Sequence, residues 1–378
     1  MKFLHLSDLH LGKSVYEFSM IEDQDYILQE ILKIADEQQP QCVLISGDVF
    51  DRTIASTEAL RLFDDFLFTL AKKHIQVYII NGNHDSADRL AFGSRLIAGS
   101  GVHIARVYDG VINRYTVTDA YGDIDIYLLP FLKPLLVKRF FPEEEIYSWT
   151  DALNVVIKNM PVDPDRRNIL LAHQFVTGAQ RSESEEINVG GADNIDVNVF
   201  DPFDYVALGH LHSPQSVGRE TVRYCGTPLK YSFSEAGHNK TVTVVELEEK
   251  GLVTIQEIPL IPLRDMREIR GTYLEITAKD FYGDLPLEDY YHITLTDEED
   301  QSDALNKLRI FYPRLMRLDY DNCRTRSESD FSVSIDTSRL TPMELFETFY
   351  KEQNQQDLSE KQKSYLGEVM DKVWEGMG

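Results

Sequence analysis

CVLISGD, residues Cys42–Asp48, decides the fold: a short apolar run that stops abruptly at a glycine and a carboxylate. Its Val, Ile and Leu content suits a strand buried on both faces. Upstream, Ile27, Leu28, Ile31, Leu32 and Ala35 recur at helical spacing; downstream, Leu60, Phe63, Leu67 and Leu70 do the same. The next apolar run is VYIINGNHD. Alternation of strand and helix predicts an α/β core whose sheet begins largely parallel.

Four further runs end in the same way. KFLHLSDLH ends on Asp8 and His10, VYIINGNHD on Asn83, His84 and Asp85, NILLAHQ on His173 with Gln174 next, and YVALGHLH on His210 and His212. Ligand sites of open α/β sheets lie beyond the carboxyl ends of the strands, and all five polar clusters occupy that end of their own strand. Gly47, Gly82 and Gly209 each stand just before a ligand-type residue, where a missing Cβ permits a sharp turn and close backbone approach. His210 and His212 are i and i+2 of an extended segment and point the same way. That spacing alone fits two ligands for one metal, one ligand for each of two metals, or a pair of surface imidazoles. Five of the ten histidines fall in these clusters. The others (His5, His74, His103, His238, His292) are expected to be structural or on the surface.

The candidate donors are Asp8, His10, Asp48, Asn83, His173, His210 and His212. Seven oxygen and nitrogen donors without a thiolate are too many for one tetrahedral zinc. They suit two ions of higher coordination number that share a ligand, and Asp48, central in the set, is the natural bridge. Mixed imidazole and carboxylate donors favour manganese, iron or zinc over magnesium or calcium. Two divalent ions outweigh the two aspartates, so the site is suited to an anionic phosphodiester and an activated water. His84 is the spare imidazole, placed to protonate a leaving oxygen or to stabilise charge on phosphorus.

Composition sets limits. The chain has 378 residues, enough for two or three domains, with 43% hydrophobic and 11% aromatic residues, as in ordinary globular proteins. No apolar run approaches a membrane span, and the first residues lack the pattern of a secretory signal. Three scattered cysteines without a Cys-x-x-Cys fit a reducing cytosol rather than a disulfide framework. The formal net charge of −25 opposes nucleic-acid binding by the chain as a whole. A DNA-acting chain of this kind requires local positive charge from metals, basic patches or a partner.

SDLHLG, GDVFDR, GNHD, AHQ and LGHLH resemble, in order, the five signature blocks of the calcineurin-like metallophosphoesterases. The resemblance implies an α/β fold in which two β-sheets pack face to face as a sandwich flanked by helices. It implies one ion on Asp8, His10 and His212, the other on Asn83, His173 and His210, and Asp48 shared. YLLPFLKP, INVGGADNID, YCGTPLKYSFSEAGHNKTVTVVEL and the tail from LTPMELFETFYKEQN extend the resemblance, from Phe3 to about Val373, to the family of bacterial nuclease subunits that work with a coiled-coil ATPase. What that family implies is a manganese-dependent enzyme of DNA repair, recombination and replication. It acts as an exonuclease on duplex ends and as an endonuclease on hairpins and single strands. It also implies a homodimer within a heterotetramer and a cytoplasmic, nucleoid-associated location. In GDVFDR, Asp51 stands where some archaeal relatives carry histidine, and the block resembles that of related phosphatases. This implies that Asp51 orients His84 and that Arg52 contacts phosphate. A phosphoesterase of the same fold acting on nucleotides or phosphoproteins, and a non-catalytic scaffold, are the alternatives.

IPLIPLRD (Ile258–Asp265) marks a break, giving an expected nuclease domain over 1–260. Two strands, a helix and a strand then predict a small α+β cap over 261–325, which the resemblance makes a DNA-positioning element. The polar NCRTRSESD (Asn322–Asp330) reads as a linker within a final segment, 326–378. Two amphipathic helices are expected there, one opening at Thr341-Pro342 and one at Ser359 with Gln362 three residues on. With little core of their own to cover, they are candidates for docking on the ATPase.

Overall fold

A computed structural model describes residues 1–182, 194–299 and 301–322, and single positions beyond. In chain order the first strands are β1 (Lys2–Leu6), β2 (Cys42–Ser46), β3 (Gln76–Ile80) and β4 (Val102–Ile104). Helix α1 (Ile21–Gln38) joins β1 to β2, and α2 (Thr57–Lys72) joins β2 to β3. A hairpin of β5 (Asn113–Asp119) and β6 (Gly122–Leu128) follows, then β7 (Arg167–His173), β8 (Tyr205–Gly209), β9 (Gln215–Val217) and β10 (Arg219–Tyr224). The pair β11 (Thr241–Leu247) and β12 (Val253–Pro259) comes next, and β13 (Met266–Gly271), β14 (Tyr290–Leu295) and β15 (Leu315–Tyr320) end the series.

Two six-stranded sheets result, ordered β12-β11-β1-β2-β3-β4 and β9-β10-β8-β7-β6-β5, with a three-stranded sheet β13-β14-β15. Strands β1 to β4 are parallel, as are β6, β7, β8 and β10. The remaining pairs that complete the two large sheets are antiparallel. The expected α/β sandwich is therefore present. Alternate residues of each central strand serve its two faces. Phe3, Leu44, Tyr78, Ile126, Leu171 and Ala207 fill the space between the sheets. Leu4, Val43, Ile45, Val77 and Ile79 instead pack under α1 and α2. Each such fully buried side chain contributes about 1.5–3 kcal/mol of transfer free energy, which is why both faces of these runs are apolar.

Ser56 caps α2 by accepting the Ala59 N–H at 3.2 Å. Its core face is Ala59, Phe63, Phe66 and Leu70, so the expected stripe is rotated by part of a turn: Leu60 lies about half exposed. The stretch TYLEIT forms a short helix, Tyr273–Ile276, rather than strand, because Thr272 and Glu275 make a reciprocal capping box. Met266, Tyr290 and Met316 of the three-stranded sheet share one core with Leu9, Leu11 and Ile27.

Leu295–Asp300 and Tyr320–Gly378 form a second compact unit. Within it the cap expected at Ser359 is formed: its N–H donates to Gln362 Oε1 at 2.9 Å, and the Gln362 N–H returns to Ser359 Oγ at 3.4 Å. The cap expected at Thr341-Pro342, and most of the linker and of the two tail helices, lie outside the described residues, as does most of INVGGADNID. Among the described residues no helix is long and apolar enough to cross a membrane, and Cys42 and Cys225 are free.

Candidate metal centre

All five site-bearing strands, β1, β2, β3, β7 and β8, end on one edge of the sandwich, where the loops that follow interlock. Asp8 N–H donates to Gly47 O at 3.0 Å and His10 N–H to Asp48 O at 3.0 Å, so the first two loops run side by side. The Asp85 carboxylate accepts from Val49 N–H (3.1 Å), Phe50 N–H (2.9 Å) and Gly82 N–H (3.0 Å), and thereby ties the second loop to the third. The sheets meet at two glycines. Gly47 has φ +90°, and a Cβ there would lie 2.5 Å from His173 Nδ1 and 2.9 Å from the Gly82 Cα. A Cβ on Gly209 would collide with the Ser46 carbonyl. Only glycine fits either position.

Four of the seven donors hold backbone angles that L-residues rarely adopt: Asp8 (φ 52°), His10 (45°), Asp48 (50°) and His210 (104°). Strain of this kind, of order 1–3 kcal/mol per residue, persists where the surroundings over-determine the conformation, and it clusters at functional sites.

The seven side chains fall into two groups around Asp48. On one side, His173 Nε2 lies 3.0 Å and His210 Nδ1 3.1 Å from Asn83 Oδ1, with Asp48 Oδ2 3.3 Å from His173 Nε2. On the other, ligand atoms of Asp8, His10 and His212 all lie within 4.8 Å of one another, and His10 Nε2 is 3.9 Å from Asp48 Oδ2. Neighbours orient the rings. His173 Nδ1–H donates to Ser46 O at 2.8 Å, which leaves Nε2 for the site. His212 Nδ1–H donates to Glu235 Oε1 at 3.2 Å. Asp8 accepts the His210 N–H at 3.1 Å on each oxygen, and the Ser7 hydroxyl on Oδ2.

Both ring nitrogens of His10 are buried without a hydrogen-bond partner, a costly arrangement for polar atoms unless another group satisfies them. Charge tells the same story. Burial pushes the Asp8 carboxyl up to about 6, partly offset by His173. Burial opposes a charge on His173, yet the Asp48 and Asp8 carboxylates outweigh it and raise the imidazole to about 9. Asp48 falls well below the carboxylate range because His173, His10 and His84 outweigh its burial. Burial lowers His210 to about 3, with His173 adding to the effect. Two buried carboxylates thus draw positive charge from their surroundings. The donors fit divalent cations.

His84, 22% exposed, sits at the mouth. Its Nδ1–H donates to the Asp51 carbonyl at 3.0 Å, its N–H to Asp48 Oδ1 at 2.9 Å, and its Nε2 is 4.0 Å from Asp48 Oδ2. The expected contact between Asp51 and His84 is therefore made by the Asp51 backbone. Its carboxylate pairs with Lys13 at 2.7 Å and stands 3.8 Å from His10 Nδ1. Arg52 is 80% exposed, with Nε 3.6 Å from Asp51 Oδ2. His5, expected to be structural or on the surface, is buried and joins the two sheets through Tyr205 OH (3.0 Å) and Leu208 O (3.1 Å).

Sequence reading missed the supporting residues. Glu235 is wholly buried and also accepts from Lys240 Nζ at 2.5 Å. Gln24 is equally buried and holds the His10 loop. Nothing in the local pattern marks either as tied to the site, since His10 and His212 lie 14 and 23 residues away, in no helix or strand shared with them.

A fold and a donor set of this kind define the metallophosphoesterases. The family model for calcineurin-like phosphoesterases matches residues 1–214, and the one described as type 5 capsule protein repressor C-terminal domain matches residues 262–354. The chain is 30% identical over 374 residues to the SbcD subunit of the nuclease SbcCD from Staphylococcus epidermidis, with 98% of each chain covered. It is 31% identical over 386 residues to that of Staphylococcus saprophyticus, again with 98% of each covered. A dimetal phosphatase from Danio rerio is similar at 12% identity and a TM-score of 0.43, covering 69% of this chain and 96% of that one. The chain belongs to the calcineurin-like phosphoesterase family and, within it, to the SbcD group.

Proposed function

We propose that the chain is a metal-dependent DNA nuclease subunit that hydrolyses phosphodiester bonds together with an SbcC-type ATPase. The observation that carries this reading is the convergence of seven donors from five strand ends into two groups with Asp48 between them. Asp8, His10 and His212 would hold one ion, Asn83, His173 and His210 the other, and Asp48 both. When bound, two divalent ions supply Lewis-acid activation of water and neutralise charge at phosphorus; the mixed donors suit manganese, iron or zinc, and the family resemblance favours manganese among them.

The chain's own groups do the rest. Ser46 O and Glu235 fix the tautomers of His173 and His212, so that each ring presents Nε2 to the site. Asp51 O fixes His84 in the same way, which leaves its Nε2 free to bond the phosphate or to give a proton to the leaving oxygen. Lys13 neutralises the Asp51 carboxylate beside His10. Arg52 is exposed and within reach of a phosphate approaching the mouth.

The substrate is DNA, cut from duplex ends and at hairpins or single strands. The acidic chain cannot grip a duplex unaided, so the ATPase, docked on the tail over 326–378, delivers DNA to the site. The region over 261–325 acts as the cap that positions it. A homodimer within a heterotetramer is part of the same reading, as the family resemblance implies. The complex is cytoplasmic and nucleoid-associated. A nuclease assay on linear and hairpin duplexes, with manganese or magnesium and with or without ATPase and ATP, tests the reading. Expected is manganese-dependent cutting, with the ATPase and ATP required on linear duplex. Hydrolysis of nucleotides or phosphoproteins with DNA left intact would contradict it.

A further inference from the structure

One turn of α1 touches both the loop that carries His10 and the three-stranded sheet. Gln24, 1% exposed, grips the loop with both ends of its amide. Its Nε2 donates to His10 O at 2.8 Å, and its Oε1 accepts the Gly12 N–H at 2.9 Å. The same Nε2 is 3.0 Å from Tyr231 OH, whose hydrogen goes to Leu9 O at 2.6 Å. Leu9, His10 and Gly12, around and including a strained ligand, His10 at φ 45°, are thus held by one buried side chain and its tyrosine neighbour. The ring of His10 has no hydrogen bond of its own and packs edge-on against His84, His212 and Tyr231, so its placement depends on packing and on the backbone, which the Gln24 clamp and the Asp48 carbonyl hold.

The preceding residue faces the other way. Asp23, wholly buried, accepts from Tyr290 OH at 2.7 Å and from Arg264 at 2.9 Å, and Arg264 also bonds Glu22 at 2.6 Å. Tyr290 belongs to β14, and Arg264 leads into β13. Adjacent residues in the first turn of a helix cannot move independently, because their backbone is shared and hydrogen-bonded.

We propose that Gln24 is a positioning residue for His10, and that Asp23 with Tyr290 and Arg264 couples the three-stranded sheet to the same loop. A shift of that sheet, such as a bound duplex would impose, changes ion affinity on the His10 side, and ion binding there changes the sheet's affinity by the same factor. The inference rests on the two-ion reading of the seven donors. It gives the sheet a role beyond covering the substrate.

Calorimetric titration of the metal-free full chain with manganese tests it. The wild type binds two ions. Gln24→Met weakens one of them about tenfold or more and leaves the other unchanged, within the range for lost supports of metal ligands. Tyr290→Phe removes one hydroxyl from a ring that stays packed. It weakens the same ion about threefold, and it keeps the test alive if Gln24→Met does not fold. In the double variant the Tyr290→Phe effect disappears, because the link through which it acts is already cut. Two ions bound with wild-type affinity in both single variants would overturn this inference alone. Multiplying, independent effects in the double variant would overturn the coupling. A wild type that binds fewer than two ions would overturn the two-ion reading and this inference with it.

Discussion

Replacing His84 with glutamine separates holding metal from using it. The substitution keeps an amide that can donate to Asp51 O, so the loop around Asn83 and Asp85 should retain its shape. The bond is 3.0 Å in the present ring. What disappears is Nε2, the one imidazole nitrogen at the mouth that faces Asp48, at 4.0 Å, without belonging to either donor group. A positioned acid of this kind contributes about 10²–10⁴-fold, equivalent to about 2.7–5.5 kcal/mol of transition-state stabilisation. His84→Gln should therefore lower kcat for manganese-dependent cutting by that factor while KM for DNA and the number of bound ions stay the same. Single-turnover cleavage of an end-labelled duplex by the complex, beside metal analysis of the same sample, reads both quantities. His84 also lies close enough to His10 and Asp48 to be a ligand itself. Loss of an ion in the variant would assign it there and refute the acid role, as would activity within about threefold of wild type.

Glu235→Ala should destabilise the protein by about 3–5 kcal/mol in chemical denaturation, because it leaves the Lys240 ammonium buried beside two neutral acceptors. A loss under 1 kcal/mol would mean that Lys240 is neutral or finds water. Gly209→Ala forces a methyl against Ser46 O and should displace His210, at a cost of about 1–3 kcal/mol or more and with loss of an ion; an unaltered melting point and metal content would contradict the interlocked loops. Deleting the residues after Asp330 should spare manganese-dependent cutting of simple substrates and abolish co-purification with the ATPase. A truncated chain that still binds its partner would remove the tail's proposed role.

Much of the site was legible because each donor closes a short apolar run, and a run buried on both faces announces a central strand. Cys42–Ser46, Gln76–Ile80 and Tyr205–Gly209 are all such strands, and Asp48, Asn83 and His210 follow them closely. Sheet order was not legible. That β11 pairs antiparallel with β1 across more than two hundred residues follows from fit, not from any periodicity at Thr241–Leu247. Nor was the pairing of Glu235 with His212, or of Gln24 with the His10 loop, legible, because isolated polar contacts of this kind leave no repeating signal. The stripe on α2 was misplaced at Leu60, which reads as core by hydropathy alone yet is about half exposed; Ala59 and Phe66 are buried beside Phe63 and Leu70, and Leu67 packs partly buried against the same core. Asp51 was expected near His84 and is, but through its carbonyl, a group every residue possesses.

The central claim is that these seven side chains hold two cations. Anomalous diffraction from crystals soaked in manganese tests it most directly. Two peaks are expected, about 3.5–4 Å apart, one against Asp8, His10 and His212, the other against Asn83, His173 and His210, with Asp48 touching both. A single peak, or peaks away from these residues, would contradict the account.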